Sequence, residues 1–339
     1  MSLVCHQLLG SVRPPEGNRI WGCTLLCWFS RHQPLKHAVQ GYIATLFHYI
    51  HQRPYMNRSI RYEFVSLPFL SRRETDAWLT SNVRPFDFLE IEAINPATDE
   101  FPPSLKCVLI SSNASPGFGS ACTQEELATA ACPDLLPLGA LCVSPPVPSN
   151  AALIAQGILP MSSWHGQGRE ARLLDLLNPT DEYTFLLLDA AELDIEPHPS
   201  TSLVDLEPRF FLRDLYKCYV GFRAIRQKGI ARISAPLWGA GAFGADPIVK
   251  TLILAMGGAL ADLTVRLAID ETRACPSASG GENKNLLQVT RTLKAQCADM
   301  NVHQLWLLLS EDETRRQSFA DGLAIVQRLL IASNEVNNA

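Results

Sequence analysis

The sequence predicts a mixed α/β fold, and two observations carry that expectation. Short runs at Ile60–Leu67, Phe86–Ile91, Lys106–Ser111, Thr184–Leu188, Ala231–Leu237 and Leu263–Ile269 are alternating or continuously apolar, with the length of strands. Between them lie segments, notably Arg209–Gln227 and Pro247–Ala261, whose apolar residues recur at the three- and four-residue spacing of a helix. Strands interleaved with helices call for a sheet covered on both faces.

Taken in order, residues 20–53 place apolar and aromatic residues at helical intervals, with Pro34 as a break. This predicts a helical accessory region over residues 1–57, followed by an α/β domain over 58–339. The Pro-rich stretches 133–148 and 196–208 read as loops, and the Ser/Gly tract 276–282 as a flexible insertion. Leu286–Ala298 and Gln317–Ile331 read as closing helices, and the polar tail after Ala332 as frayed. No internal repeat is visible.

The bulk numbers narrow the function. The chain has 339 residues, 47% hydrophobic and 19% charged, ample for a sizeable core. A net charge of -5 argues against a general nucleic-acid binder, since phosphate-backbone affinity comes from clustered Lys and Arg. An anionic ligand must then be gripped locally, by backbone amides in glycine-rich loops and at helix starts. The apolar run Thr251–Ala261 is ended by Asp262 and Arg266, well short of the ~20 residues of a membrane span. No secretory signal is evident at the N-terminus, so an intracellular protein is expected. The ten cysteines lack paired CxxC spacing, and Cys23 and Cys27 have no second pair downstream, so buried thiols are expected. His48 and His51 form an HxxH without a Glu or a further ligand; neither metal nor cofactor is expected.

Two segments carry chemistry. In the first, Leu109–Leu127, a strand runs through the small-residue loop Asn113-Ala-Ser-Pro-Gly-Phe-Gly-Ser120 into a helix. Thr123 and Glu126 have the Thr-x-x-Glu spacing of a capping box. Glu125 and Glu126 are therefore either dipole-favoured groups at a helix start or a working pair of carboxylates. The second segment, Ser234–Leu254, is again strand, glycine-rich turn and helix, with Asp246 as N-cap and Pro247 at the first helical position. Apart from Phe243, every residue from Gly239 to Ala245 is Gly or Ala. Such a loop is either a tight turn for close helix–strand contact or a cradle of amides for a diphosphate.

Taken together, Gln124-Glu125-Glu126 after a glycine-containing loop and Trp238-Gly-Ala-Gly-Ala-Phe-Gly-Ala-Asp246 resemble the active site of the poly(ADP-ribose) glycohydrolase family. Arg213–Phe222 resembles the family's helix before the second loop, and Trp21–Pro54 part of its helical accessory domain. The resemblance, over roughly residues 20–270, implies a macrodomain-like mixed sheet between helices, with ADP-ribose in a cleft at the strand ends. It implies Glu126 as catalytic acid, Glu125 as the carboxylate holding the ribose hydroxyls, Gln124 beside them, and Asn113 against the ribose. Gly117, Phe118, Gly119 and Ser120 would form the first diphosphate loop, and Gly239, Ala240, Gly241, Ala242 and Gly244 the second, with Phe243 near the distal ribose. Trp164 stands near the family's adenine-side tyrosine, as a stacking residue or as core, and Asp99 is either an adenine contact or a solvated loop residue. The chain departs from the pattern at Ser115-Pro116-Gly117, where the family carries three consecutive glycines, and at Leu237, where it carries Asn.

The implied reaction suits these residues. Glycoside cleavage passes through an oxocarbenium-like transition state, so one carboxylic acid must protonate the leaving ribose oxygen while negative charge stabilises the sugar. Burial and mutual repulsion raise the pKa of one of two adjacent carboxyls. The expected partners are poly(ADP-ribose) and ADP-ribosylated proteins, with ADP-ribose as product, for a monomer of nucleus or cytoplasm that acts in the DNA damage response and contacts neither membrane nor specific nucleic-acid sequence. Two alternatives stay open: a macrodomain that binds ADP-ribose without cutting, and a hydrolase of single ADP-ribose groups.

Overall fold

A computed structural model gives the structure of the protein. It describes residues 36–54, 58–95, 100–117, 123–141, 146–166, 170–196, 203–275, 284–310 and 322–337. In chain order the elements are α1 (Lys36–Gln52), β1 (Arg61–Ser66), α2 (Arg72–Leu79), β2 (Leu89–Ile94), β3 (Glu100–Phe101), β4 (Cys107–Ser112), α3 (Gln124–Ala131), α4 (Leu136–Leu141), β5 (Ala151–Ile158), β6 (Ser162–His165), β7 (Arg172–Leu176), β8 (Tyr183–Asp189), α5 (Pro208–Gln227), β9 (Arg232–Ala235), α6 (Pro247–Ala261), β10 (Thr264–Asp270), α7 (Leu286–Gln296), α8 (Val302–Ser310) and α9 (Gly322–Asn337). The fold class is mixed α/β, as the sequence predicts. The elements fall into two compact units, one from the described parts of Met1–Phe64, Asn95–Pro148 and Ala152–Asp189, the other from those of Val65–Ile94, Ser149–Ala151 and Ala190–Ala339.

In the first unit the strand order is β5-β8-β4. β8 pairs with β4 in parallel, Leu109 opposite Leu186, and with β5 antiparallel, Ile154 opposite Leu186. Cys107–Ile110 are all buried, which explains why β4 reads as a continuous apolar run: a strand covered on both faces has no polar alternation. A small second sheet, β3-β6-β7, packs against α1. There Trp164 is fully enclosed. Its indole N–H donates to Ser162 Oγ at 2.8 Å, Thr45 Oγ1 donates to the same oxygen at 2.8 Å, and the Tyr42 ring lies 5.1 Å away. Gly41 in mid-helix answers to this ring, because a Cβ there would overlap Trp164 Cη2 and come within 2.9 Å of Leu173 Cβ.

In the second unit β10 lies between β9 and β2, all parallel, with Leu267 opposite both Ile91 and Ala235. Its side chains alternate, Val265, Leu267 and Ile269 being buried. α6 is buried along nearly its whole length, as a helix apolar on all sides must be. It touches α5 closely, and Gly257 permits this, since a Cβ there would come within 2.8 Å of Cys218 Cβ.

Several expectations are corrected. The stretch expected as a 133–148 loop opens with a 3-10 turn, Pro133–Leu135, and continues into α4, because Pro is accommodated in a first helical turn while Leu135, Leu136 and Leu138 bury inward. The strand expected at Phe86 begins at Leu89, preceded by the 3-10 turn Pro85–Phe88. The expected 196–208 loop contains a 3-10 turn, Val204–Leu206, and gives way to α5 at Pro208. The last helix runs past Ile331 to Asn337. Residues 20–35 and the 276–282 tract lie outside the described residues. Among the described residues no helix is long and apolar enough to cross a membrane.

Gly41→Ala removes a helix-weakening glycine yet is expected to lower stability by about 1–3 kcal/mol through overpacking against Trp164. A rise in Tm would show that this contact yields freely.

Candidate active site

In the first unit the expected carboxylates lie at the start of α3, beside the C-terminal end of β4. Thr123 caps α3: its Oγ1 accepts from the Glu126 N–H at 3.4 Å, and Glu126 Oε2 accepts from the Thr123 N–H at 3.1 Å. The capping box read from the sequence is thus formed, and it engages one oxygen of a fully buried carboxyl. Glu125, next along the helix, reaches back to the strand end, where Oε2 accepts from the Asn113 N–H at 2.9 Å and Oε1 from the Gly117 N–H at 2.8 Å. Gln124 Oε1 accepts from the Ser111 N–H at 2.9 Å, and Asn113 Oδ1 from the Ser115 N–H at 2.9 Å.

Gln124, Glu125, Glu126, Asn113 and Gly117 therefore lie near one another. Glu125 ties Asn113 and Gly117 together through their backbone amides, while Gln124 is held on Ser111 and Glu126 on Thr123. Burial pushes the Glu125 carboxyl up to about 8; the Asn113 and Gly117 N–H groups pull it down, and the charge of Glu126 pushes it up. The space beside it is water-sized, a cavity of about 10 Å³ bordered by Pro116, Gly117, Thr129 and Leu135. Phe118, Gly119 and Ser120 lie outside the described residues, as do Asp99 and Gln167. Trp164, expected either as a stacking residue or as core, has no ring face open to a base, and this corrects its placement among the binding residues.

The second unit holds the other loop, and here the polarity of the backbone is informative. Four of the loop's carbonyls accept hydrogen bonds from the protein. Gly239 O accepts from the Ala245 N–H at 3.2 Å, Ala240 O from Arg273 Nη2 at 2.6 Å, and Gly241 O from the Gly244 N–H at 3.1 Å. Phe243 O accepts from the Leu193 and Asp194 N–H groups at 2.9 and 3.1 Å. Among the described residues the N–H groups of Gly241, Ala242 and Phe243 make no hydrogen bond, and Gly241 and Ala242 are exposed. Three consecutive unbonded N–H groups are a kind of backbone that can receive an anion. Gly239 and Gly244 have φ of +75° and +70°, conformations that favour glycine.

Beneath this loop lies a charge cluster that the sequence reading missed. Lys250 Nζ bonds Asp214 Oδ2, lies 3.2 Å from Asp205 Oδ1 and sits 5.5 Å from the centre of the Trp238 ring. All three charged side chains are almost fully enclosed. Burial opposes the lysine's charge, but Asp214 and Asp205 outweigh it and hold the ammonium above its ordinary value. Asp205 Oδ2 accepts from the Asp246 N–H at 2.6 Å, while Asp246 Oδ1 accepts from the Ile248 and Val249 N–H groups, so the expected N-cap is also the loop's far anchor. The signal was present in part, as a lone lysine in an apolar helix; its aspartates, 36 and 45 positions earlier, had none.

His48 Nε2 lies 2.7 Å from Leu177 O, so this half-buried histidine has a hydrogen-bond partner. Among the described residues no group of three His, Cys, Asp or Glu is placed to hold a metal ion. Cys107, Cys132, Cys218 and Cys297 are buried thiols.

Residues 106–271, which include both loops, match the family model described as poly(ADP-ribose) glycohydrolase, macro domain fold. This segment of the chain is similar to the poly(ADP-ribose) glycohydrolase family. The chain is also similar to the crystal structure of poly(ADP-ribose) glycohydrolase from Thermomonospora curvata, at 14% identity over 73% of this chain and 96% of that one, with a TM-score of 0.39. A further similar structure, described as alphavirus P23pro-zbd, has 12% identity and a TM-score of 0.28, and the match covers 53% of this chain and only 21% of that one. No curated protein matches. In the segment that matches the family model, Glu125 and Glu126 and the Gly239–Gly244 loop are the groups suited to sugar chemistry and to anion binding.

Two outcomes are expected. Lys250→Met leaves two buried aspartates without their cation and should cost about 3–5 kcal/mol in chemical unfolding; a loss below about 1 kcal/mol would show the cluster to be dispensable. The Glu125 carboxyl is raised above its unfolded value near 4.5, so folding favours its protonated form, and the carboxylate weighs against the fold increasingly as pH rises from 4.5 towards 8. The stability of the wild type relative to Glu125→Gln should therefore fall across that window, and a constant difference would contradict the burial of this group.

Proposed function

We propose that the chain is a poly(ADP-ribose) glycohydrolase, cutting the ribose–ribose O-glycosidic bonds of ADP-ribose polymers on modified proteins and releasing ADP-ribose. The observation that carries this reading is the pair of carboxyl groups buried side by side at the start of α3, within the segment that matches the family model. The outward amides of Gly241, Ala242 and Phe243 support it as the place for the diphosphate.

In this reading Glu126 donates its proton to the ribose oxygen that leaves, the glycosidic C–O bond breaks, and positive charge develops on the sugar carbon. Water adds to that carbon and returns a proton to the carboxylate. Glu125 holds the ribose hydroxyls. Its oxygens, which now accept from Asn113 and Gly117, would exchange those amides for sugar hydroxyls. The elevated pKa of Glu125 favours a variant of the scheme in which the roles are exchanged, because a carboxyl raised to about 8 carries its proton at neutral pH.

A second reading, a binding module that recognises ADP-ribose without cutting it, is favoured by the first loop. Pro116 stands among the positions where the family has glycines, and the Gly117 N–H is directed at Glu125 rather than outward.

Release of ADP-ribose from purified polymer by the wild type, Glu125→Gln and Glu126→Gln separates these. The acid's variant should lose about 10²–10⁴-fold in rate while still binding ADP-ribose. Unchanged release by Glu126→Gln would reject its assignment, and binding without release by the wild type would favour the module. Replacing the polymer by singly modified protein tests the substrate.

A further inference from the structure

Arg273 follows β10 in a turn that is fixed on both sides. Its own N–H donates to Asp270 O at 3.1 Å, and its carbonyl accepts from the Leu286 N–H at 2.9 Å. Beside it, Asp270 Oδ1 accepts from the Thr272 N–H at 2.8 Å, and Asn285 Nδ2 donates to Glu271 O at 2.5 Å. From this turn the half-buried guanidinium reaches the second loop and donates to Ala240 O at 2.6 Å. It makes no other hydrogen bond among the described residues, although Asp270 lies close enough to act on its charge.

A trans peptide points its carbonyl and its N–H in opposite directions. A cation held on Ala240 O therefore directs the Gly241 N–H away from itself, and the next two amides along the chain are also unbonded among the described residues. It also withdraws charge from the carbonyl, which strengthens the N–H as a donor. No side chain of the loop can do this, since Gly239–Ala242 are all Gly or Ala. Lys250 and Asp246 anchor the loop's two ends, and Arg273 grips the middle.

We propose that Arg273 is a positioning residue for anion binding at the second loop: through Ala240 O it fixes and polarises the peptide whose N–H, on Gly241, begins the run of three donors for a phosphate group of a nucleoside diphosphate. The proposal rests on reading this loop as the diphosphate site. The cation remains one peptide unit from the anion, so it acts through the backbone and through its charge at a distance, without direct contact.

Calorimetric titration of the full chain with ADP-ribose at low and moderate salt tests it, with Tm recorded for each variant. Arg273→Gln keeps a hydrogen-bond donor and loses the charge. It should weaken binding about tenfold at low salt and flatten the dependence of affinity on salt, at a Tm near that of the wild type. Arg273→Lys, which keeps the charge without the planar fork, should restore part of the affinity, leaving it about two- to threefold weak. Wild-type affinity and salt dependence in Arg273→Gln would overturn the proposal while leaving the site intact. No binding by the wild type would instead remove the diphosphate reading and the proposal with it. If Arg273→Gln fails to fold, Arg273→Lys decides: affinity equal to the wild type's overturns the role, and the two- to threefold loss supports it.

Discussion

A loop made of glycine and alanine has no side chains with which to hold itself, so its shape must be imposed by what surrounds it. In this chain that constraint falls on the backbone of residues 238–246. Trp238 and Gly239 rest against Lys250; Asp205 takes the N–H of Asp246; Leu193 and Asp194 take the carbonyl of Phe243; and Arg273 takes that of Ala240. Each contact consumes an oxygen or locks an end, and the N–H groups of Gly241, Ala242 and Phe243 are left unbonded among the described residues. The proposed binding of an anion by a protein of net negative charge would draw on this arrangement. The field comes from a few oriented dipoles, with one buried ammonium and one guanidinium behind them, and requires no basic surface.

The first loop solves a different problem. A carboxyl placed at a helix start is favoured as an anion by the helix dipole and by backbone amides, whereas burial favours its neutral form. Glu125 is subject to all of these, and burial prevails over the Asn113 and Gly117 amides. Glu126 meets the same helix end through the capping box. Two neighbouring carboxyls thus differ in environment because one faces the strand end and the other its own cap, and such a difference lets adjacent acids take different parts in a reaction.

The departures from the family pattern acquire physical content. Pro116 has no N–H, and the Gly117 N–H is bonded to Glu125, so among the described residues the first loop offers less to an anion than the second. Trp164, which stands near the family's adenine-side position, is instead the centre of the small sheet's packing against α1, with its only polar atom satisfied by Ser162.

What the sequence determined by itself was local. The alternation of β10, the continuous apolar run of β4, the Thr123–Glu126 capping box and the Asp246-Pro247 helix start all depend on residues two to four positions apart, and all were legible. The pairing of Glu125 with the end of β4 was legible only through resemblance. Only the tertiary structure decided which groups hold the loops: Asp205 and Asp214 lie 45 and 36 positions before the lysine they surround, Arg273 lies 33 positions after the carbonyl it grips, and a helix replaces the expected loop at Leu136 because its leucines find a core. Side chains that act on backbone far along the chain leave no period or spacing in the sequence, since the distance that matters exists only after the chain has folded.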